Sequence, residues 1–322
     1  MIAEEIPRAL DGERVDRIVS LLADISRSVA HDLVVNGGVS IDGVVELSGK
    51  LRLREGQNIS IDISKIPPPQ LPQADTSVPV DVVYSDDAII VVNKQHGLVV
   101  HPGAGNPVGT LVNGLLALYP EIADVGEPMR PGIVHRLDSG TSGLMVVART
   151  QESYTHLVSE MSEHAVTREY VALAWGHFDA ESGVVDADIG RDPRDPLKMA
   201  VVHNGKWART HFAVEETFDE PAALSLVRCS LETGRTHQIR VHLAAVSHPV
   251  VGDATYGGAK SSLVAPRPML HARHLAFRHP VTGDQMSFDV VIPEDMSTII
   301  GKCSRRATDD TNRDVLNRDS VE

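Results

Sequence analysis

The stretch His135-Arg136-Leu137-Asp138-Ser139-Gly140-Thr141-Ser142-Gly143-Leu144 is the most informative part of this chain. It follows the apolar run Gly132-Ile133-Val134, which predicts a strand, and its Gly- and Ser-rich turn places Asp138 at the strand's edge. A carboxylate at such an edge, with guanidinium groups nearby, can stay ionised and act as a nucleophile or a base. An Asp before a Ser-Gly turn also commonly caps that turn through its side chain. Spacing alone favours this structural role, so the rest of the sequence has to distinguish the two.

The composition is that of a soluble globular protein. The 322 residues are enough for two domains, and the hydrophobic fraction of 42% is ordinary. No apolar run is long enough to span a bilayer, and residues 1–5 lack the basic start of a signal peptide. Two cysteines, Cys229 and Cys303, are too few for a disulfide framework or a cysteine zinc site. We therefore expect a protein of the reducing cytoplasm with no membrane partner, and we expect a monomer.

The net charge limits the classes of partner. A formal charge of −14 argues against indiscriminate binding to nucleic acids, because contacts to phosphates need cations. It does not exclude a nucleic-acid partner whose site gathers Arg, Lys and His on one face. The total itself is best explained by solubility.

A small α/β module is predicted at residues 12–65. Apolar residues recur at helical spacing in 15–22 and in 29–34, where Ser26 or Ser28 caps the second helix. Short alternating strands follow at 39–41, 44–45, 51–53 and 59–63. Residues 66–77 are rich in proline, which indicates an extended linker and a domain boundary.

The second predicted domain covers residues 78–303. It opens with a hairpin of two β-rich segments, and Thr110 then caps an apolar helix. Runs of adjacent strands broken by single helices predict an α+β domain with a mixed, largely antiparallel sheet flanked by helices. The charged residues 304–322 predict a disordered tail.

A second polar cluster lies in residues 233–243. Thr236 can cap a helix in which Ile239, Leu243 and Val246 face inward. Arg240 would then lie along the edge of the buried face, where its guanidinium can pair with a carboxylate and keep it ionised. The alternative is an ordinary solvated helix face with surface histidines.

Tyr170, in an apolar strand, is either a core residue or a platform on which a nucleobase stacks.

Other sequence features exclude several kinds of site. The patterns of a nucleophile elbow, a P-loop and a dinucleotide site are absent. His237 and His242 lack a convincing third metal ligand, and one prominent carboxylate is too few for glycosidase chemistry.

Together these segments resemble the RluA-type family of pseudouridine synthases. Residues 14–63 resemble the S-four RNA-binding domain, named for a small-subunit ribosomal protein, and residues 99–106 resemble the RluD branch, which modifies large-subunit ribosomal RNA. Several ordered motifs are more specific than any single pattern. The blocks that match the family signature are residues 132–144, Arg168-Glu169-Tyr170, residues 233–243 and residues 248–257.

The resemblance implies catalytic roles for individual residues. Asp138 matches the essential aspartate, which breaks the bond between uracil and ribose by attacking the anomeric carbon or by taking the neighbouring ribose proton. Tyr170 matches the tyrosine that stacks on the target base and is placed for proton transfer. Arg240 matches the basic residue that pairs with the aspartate, and Arg136 matches the arginine that fills the gap left by the flipped nucleotide. Neither a cofactor nor a metal is implied.

The same blocks imply further contacts to RNA. Leu243 is expected to help line the uracil pocket. The RNA-binding residues expected beside Arg136 are His135, Arg235, His237, Gln238 and Leu243.

The sequence thus predicts an enzyme, an RNA pseudouridine synthase that isomerises specific uridines in large-subunit ribosomal RNA, with Asp138 as nucleophile or base. Two alternatives use the same scaffold: a catalytically silent RNA-binding factor for ribosome assembly, and a pseudouridine synthase acting on tRNA. A third is a glycosidase that releases the base.

Overall fold

The computed structural model describes residues 1–66, 71–103, 105–195 and 197–305. The chain forms two compact units, Met1–Gln70 and Leu71–Glu322. Residues 306–322 of the predicted tail lie outside the described residues. The helices are α1 (Val15–Leu22), α2 (Arg27–Val35), α3 (Leu111–Leu118), α4 (Gln151–Ser162), α5 (Gln238–Ala245) and α6 (Glu294–Ile300). The strands are β1 (Ile2–Glu5), β2 (Val39–Ile41), β3 (Val44–Val45), β4 (Asn58–Ile61), β5 (Val82–Ser85), β6 (Ile89–Lys94), β7 (Gly126–Glu127), β8 (Arg130–Pro131), β9 (Ser142–Ala148), β10 (Thr167–Trp175), β11 (Ser182–Asp186), β12 (Ile189–Arg191), β13 (Met199–Val201), β14 (Arg209–Phe218), β15 (Leu224–Leu231), β16 (Leu270–Arg278) and β17 (Gln285–Asp289).

The first unit packs two helices with a small sheet. Its strands have the order β1-β4-β2-β3, and α1 buries Val15, Ile18 and Val19 completely in a core shared with α2. Of the two candidate caps for α2, Ser26 is the one that accepts the Val29 amide, at 3.3 Å. Strand β1 pairs along β4, so residues that precede the predicted module contribute to this sheet.

The second unit is built on one large sheet. Its nine strands follow the order β11-β14-β15-β10-β16-β9-β6-β5, with β17 paired to β16. Neighbouring strands pair antiparallel, apart from the parallel contact of β16 with β9. The predicted α+β class with a mixed, largely antiparallel sheet is confirmed.

The parallel contact joins the two halves of the sheet immediately after the 138–141 loop. Ser142 and Gly143 pair with His271 and Ala272 of β16. Gly143 has φ +116°, and a Cβ there would lie 2.2 Å from the Ala272 carbonyl oxygen. Only glycine allows the two backbones to approach so closely, and this approach fixes where β9 begins.

None of the helices in the described part of the chain combines the length and apolar character that crossing a membrane requires.

Candidate active site

A cavity of about 510 Å³ lies in the second unit, where the 134–141 segment, β10 and α5 meet. The end of α4 and Leu270 of β16 complete its wall. The cavity gathers the catalytic residues predicted from three separate sequence blocks: Asp138, Tyr170 and Arg240.

Asp138 is held by an arginine from a distant helix. The Arg240 Nη1 donates to Asp138 Oδ2 at 3.0 Å, across 102 positions of sequence. The turn at residues 138–141 is closed by the Asp138 carbonyl, which accepts from the Thr141 amide at 3.0 Å. The backbone therefore makes the turn that the sequence alone assigned to the side chain, and the carboxylate faces the cavity.

Arg240 bridges two carboxylates. Its Nε and Nη2 donate to Asp253 Oδ2 and Oδ1 at 2.7 and 3.0 Å, and the Asp253 side chain is 1% exposed. Burial lowers the pKa of Arg240, but hydrogen bonds and charge from Asp253 and Asp138 outweigh it and raise that pKa above its ordinary value. The guanidinium is thus permanently charged and fixed in two directions.

Tyr170 forms part of the apolar wall. Its side chain is buried in the hydrophobic core beside Ile239 and Leu270, and all three line the cavity. Burial raises the pKa of the Tyr170 phenol; the positive charge of Arg168 opposes the rise and the negative charge of Asp138 adds to it. The phenol therefore stays protonated at neutral pH.

His237 lies at the start of α5. It has a left-handed φ of +59° and is the N-cap of that helix, so the helix begins one position later than a Thr236 cap predicts. Its Nδ1 is 2.7 Å from the Tyr256 hydroxyl, and its Nε2 is 3.9 Å from Asp138 Oδ2. Burial lowers the pKa of His237, with Asp138 opposing this and Arg240 adding to it.

Gln238 and Leu243, two of the residues predicted to bind RNA, are buried. The Gln238 amide accepts from Thr233 Oγ1 and the Arg235 amide and donates to the Arg209 carbonyl, so it holds the 233–238 turn. Leu243 is fully buried and lies one helical turn beyond Ile239, away from the cavity wall. Ile239 and Leu270 line the cavity and Leu243 does not, so the contact of Leu243 with uracil stays a prediction.

The remaining predicted RNA-binding residues differ in exposure. His135 Nε2 accepts from the Val146 amide at 3.1 Å, and burial, with some help from Arg168, lowers the pKa of His135 to about 3. Arg136 and Arg235 are exposed at the cavity. In the described part of the chain neither forms an ion pair with a carboxylate.

The sequence reasoning missed two charged residues behind the site. Asp253 belongs to the 248–257 block, but no local pattern connects it to Arg240. Lys94 is 1% exposed at the end of β6, and its Nζ donates to the carbonyls of Gln95 and Leu98 at 2.9 Å. Burial lowers the pKa of Lys94 to about 7, with Asp138 opposing the shift. The sequence did contain a signal for Lys94, since a lysine at the end of an apolar strand is an unusual residue for a buried position.

Within the described ranges, no group of three or more His, Cys, Asp or Glu side chains is placed to hold a metal ion.

Comparisons with known proteins agree on one family. The family model for RNA pseudouridylate synthase matches residues 88–245. The ribosomal large subunit pseudouridine synthase D of Vibrio vulnificus is 43% identical over 298 residues, covering 88% of this chain and 89% of that protein. An uncharacterized RNA pseudouridine synthase, YlyB, of Bacillus subtilis is 39% identical, covering 89% and 93%. The solved structure of human RNA pseudouridylate synthase domain containing 1 superposes with a TM-score of 0.58 at 27% identity, covering 73% of this chain and 91% of that one.

Proposed function

The chain belongs to the RNA pseudouridylate synthase family and is an isomerase acting on RNA, and on that premise we propose that its substrate is large-subunit ribosomal RNA. The names of relatives that are 42–43% identical over about nine-tenths of their length support this substrate. Such a substrate would place the enzyme in the cytoplasm, where ribosomes are assembled.

One observation carries the catalytic proposal: a carboxylate held by a buried arginine faces a cavity that a buried tyrosine also lines. Asp138 breaks the bond between N1 of uracil and C1′ of ribose, by attack on C1′ or by removal of the neighbouring ribose proton. The freed base turns and bonds to C1′ through C5, and the proton on C5 then leaves. Tyr170 stacks on the base and is placed for that proton transfer, and Arg240 holds Asp138 in place through a hydrogen bond to its carboxylate.

Other residues would bind the RNA itself. Arg136, exposed beside Asp138, fills the gap that the flipped uridine leaves, a role suited to a planar cation. The first unit, with its two helices and four-stranded sheet, serves as a second RNA-binding module. Two attachment points would give selectivity for structured RNA.

The test is replacement of the carboxylate. Asp138→Asn removes the charge but keeps the shape, so we expect pseudouridine formation to fall by at least about 10³-fold while RNA binding and the melting temperature stay unchanged. Asp87→Asn, at an exposed turn of the same unit, is the matched control and should retain full activity. Mapping pseudouridines in ribosomal RNA from a strain without the gene identifies the target uridines.

Each rival activity has its own outcome. Full activity of the Asp138→Asn protein would overturn the catalytic assignment. Release of free uracil would indicate a glycosidase, and pseudouridine lost from tRNA would identify tRNA as the substrate. Binding to ribosomal RNA without any isomerisation by the wild-type protein would indicate a silent assembly factor.

A further inference from the structure

Arg168 is a buried cation that the proposed reaction does not use. It lies on β10 two residues before Tyr170, and its side chain lines the same cavity. Only 8% of the residue is exposed, yet its Nε has no hydrogen-bond partner. Its Nη2 donates one long hydrogen bond, 3.3 Å, to the Glu232 carbonyl.

The other buried arginines of the described chain are neutralised. Arg240 pairs with Asp138 and Asp253, and Arg267 pairs with Asp295 through two hydrogen bonds of 2.6 and 2.9 Å. Arg168 has no carboxylate within 4.0 Å among the described residues. Burial accordingly lowers its pKa from the ordinary arginine value. A buried charge without a counter-charge is unfavourable, so such a group is normally paired with an opposite charge from the protein or from a ligand.

The surroundings of Arg168 indicate an anion. Arg235 and Arg136, both exposed at the same cavity, also lack carboxylate partners within the described ranges, although the chain as a whole carries a charge of −14. The backbone of Gly234 passes so near that a Cβ there would lie 2.8 Å from Arg168 Nη1. This close approach limits where the guanidinium can move. The part of the Arg168 side chain that lines the cavity can then meet a phosphate, while its Nε lies inside the protein.

We propose that Arg168 binds one of the two phosphodiesters that flank the target uridine. Residues two apart on a strand face the same side about 7 Å apart, so a base stacked on Tyr170 brings its own sugar-phosphate backbone to Arg168. This inference rests on the proposed function, since it takes RNA as the ligand. It adds an anchor that holds the flipped nucleotide by its backbone, independently of Arg136.

Three variants separate phosphate binding from a structural role. Arg168→Gln removes the charge. Gly234→Ala keeps the charge but displaces the guanidinium, because the added Cβ would lie 2.8 Å from Arg168 Nη1. The backbone of Gly234 has no left-handed φ, so it accepts alanine without strain. Arg228→Gln is the matched control, because Arg228 is on the adjacent strand, pairs with Glu169 and does not line the cavity.

The experiment is a binding cycle with full-length protein. The probes are RNA hairpins containing a uridine that the wild-type enzyme converts, with each flanking phosphate in turn replaced by a neutral methylphosphonate. At one of these phosphates we expect neutralisation to weaken wild-type binding by roughly tenfold, the effect of one charge-assisted hydrogen bond. The same methylphosphonate substitution in the RNA should not change the affinity of the Arg168→Gln protein. That variant should also reduce the slope of log K against log salt by about one.

Stability provides the second readout. If Arg168 serves the ligand, Arg168→Gln leaves the melting temperature unchanged or raises it, because an uncompensated buried charge is removed. For Gly234→Ala, as for Arg168→Gln, replacing the phosphate by methylphosphonate should no longer weaken RNA binding. Arg228→Gln should behave as wild type.

Two failures are distinguishable. If the wild-type enzyme converts no uridine in ribosomal RNA or tRNA, the proposed function fails and the phosphate site falls with it. If it converts uridine but neutralising either phosphate weakens wild type and Arg168→Gln equally, only the inference is overturned. A large loss of melting temperature in Arg168→Gln together with an unchanged salt slope would overturn it as well, in favour of a structural hydrogen bond to Glu232.

Discussion

At the scale of single residues, the site is defined by which charges are paired and which are not. Arg240 is shared between a carboxylate that faces the cavity and one that is wholly buried. Asp253 therefore fixes the guanidinium, and Asp138 receives a cation that cannot turn away or lose its proton. The Tyr256 ring, 5.1 Å from the Arg240 guanidinium carbon, stacks against the same group.

A buried histidine makes stability depend on pH. Burial lowers the pKa of His271 to about 4, and Arg267 and Arg273 add to the shift. Between pH 6.5 and 4 the unfolded chain binds more protons than the folded one, so stability falls as the pH falls through this window. The contribution is on the order of 3 kcal/mol.

We expect His271→Asn to flatten this dependence, because its amide can keep the hydrogen bond to Ser142 without titrating. Urea unfolding at pH 7 and pH 4.5 measures the effect. Exposed His203→Asn should leave the slope unchanged, and an equally steep curve for both variants would contradict the assignment.

At the scale of elements, the loop that carries Asp138 is held from behind by two cations. Arg267 Nη1 donates to the carbonyls of Gly140 and Leu270, both at 3.1 Å. The same guanidinium pairs with Asp295 at the start of α6. From β6, Lys94 Nζ reaches the Ser139 carbonyl at 3.4 Å. The position of the loop therefore depends on a helix that contributes nothing to the cavity.

We expect Asp295→Asn to lower the rate of pseudouridine formation roughly tenfold while leaving RNA affinity within about twofold, because it releases Arg267 and so loosens the Gly140 carbonyl. Single-turnover kinetics and equilibrium binding measure the two quantities separately. Glu294→Gln, the exposed neighbour, is the control and should behave as wild type. A fall in affinity with an unchanged rate would exclude this mechanism.

At the scale of the whole molecule, the chain has two units with separate cores. The first buries its own cluster around Ile18, Leu33 and Ile61, and the second contains every residue that lines the active-site cavity. Catalysis and the proposed binding of structured RNA are thus assigned to different parts of the chain.

We expect a protein starting at Leu71 to stay folded but to bind the target RNA at least tenfold more weakly, because one of two linked contacts is lost. Circular dichroism with thermal melting checks the fold, and binding at several salt concentrations checks the affinity and its slope. The full-length Asp138→Asn protein serves as the control with both units and no turnover. Equal affinities of the truncated and full-length proteins would remove the RNA-binding role from the first unit.

Short-range patterns in the sequence were sufficient for much of the fold. The spacing of apolar residues predicted α1, and Thr110 is the N-cap residue of α3, where the Asn113 side chain accepts from its backbone amide. The α5 cap was misplaced because His237 adopts a left-handed backbone while its ring contacts Tyr256, a contact 19 residues away. The inward face of Leu243 was predicted, and the residue is buried; the helical pattern does not show whether core or cavity lies on that side.

The sequence by itself determined the fold class and the family to which the chain belongs, since periodicity and ordered motifs are properties of neighbouring residues. The tertiary structure decided how the charges are used. Only packing brings Arg240 to Asp138 and Asp253. Packing also engages the Gln238 side-chain amide in hydrogen bonds within the protein, and it leaves Arg168 buried without a carboxylate partner among the described residues. Ion pairing and burial depend on distances between segments far apart in the chain, and no local pattern contains those distances.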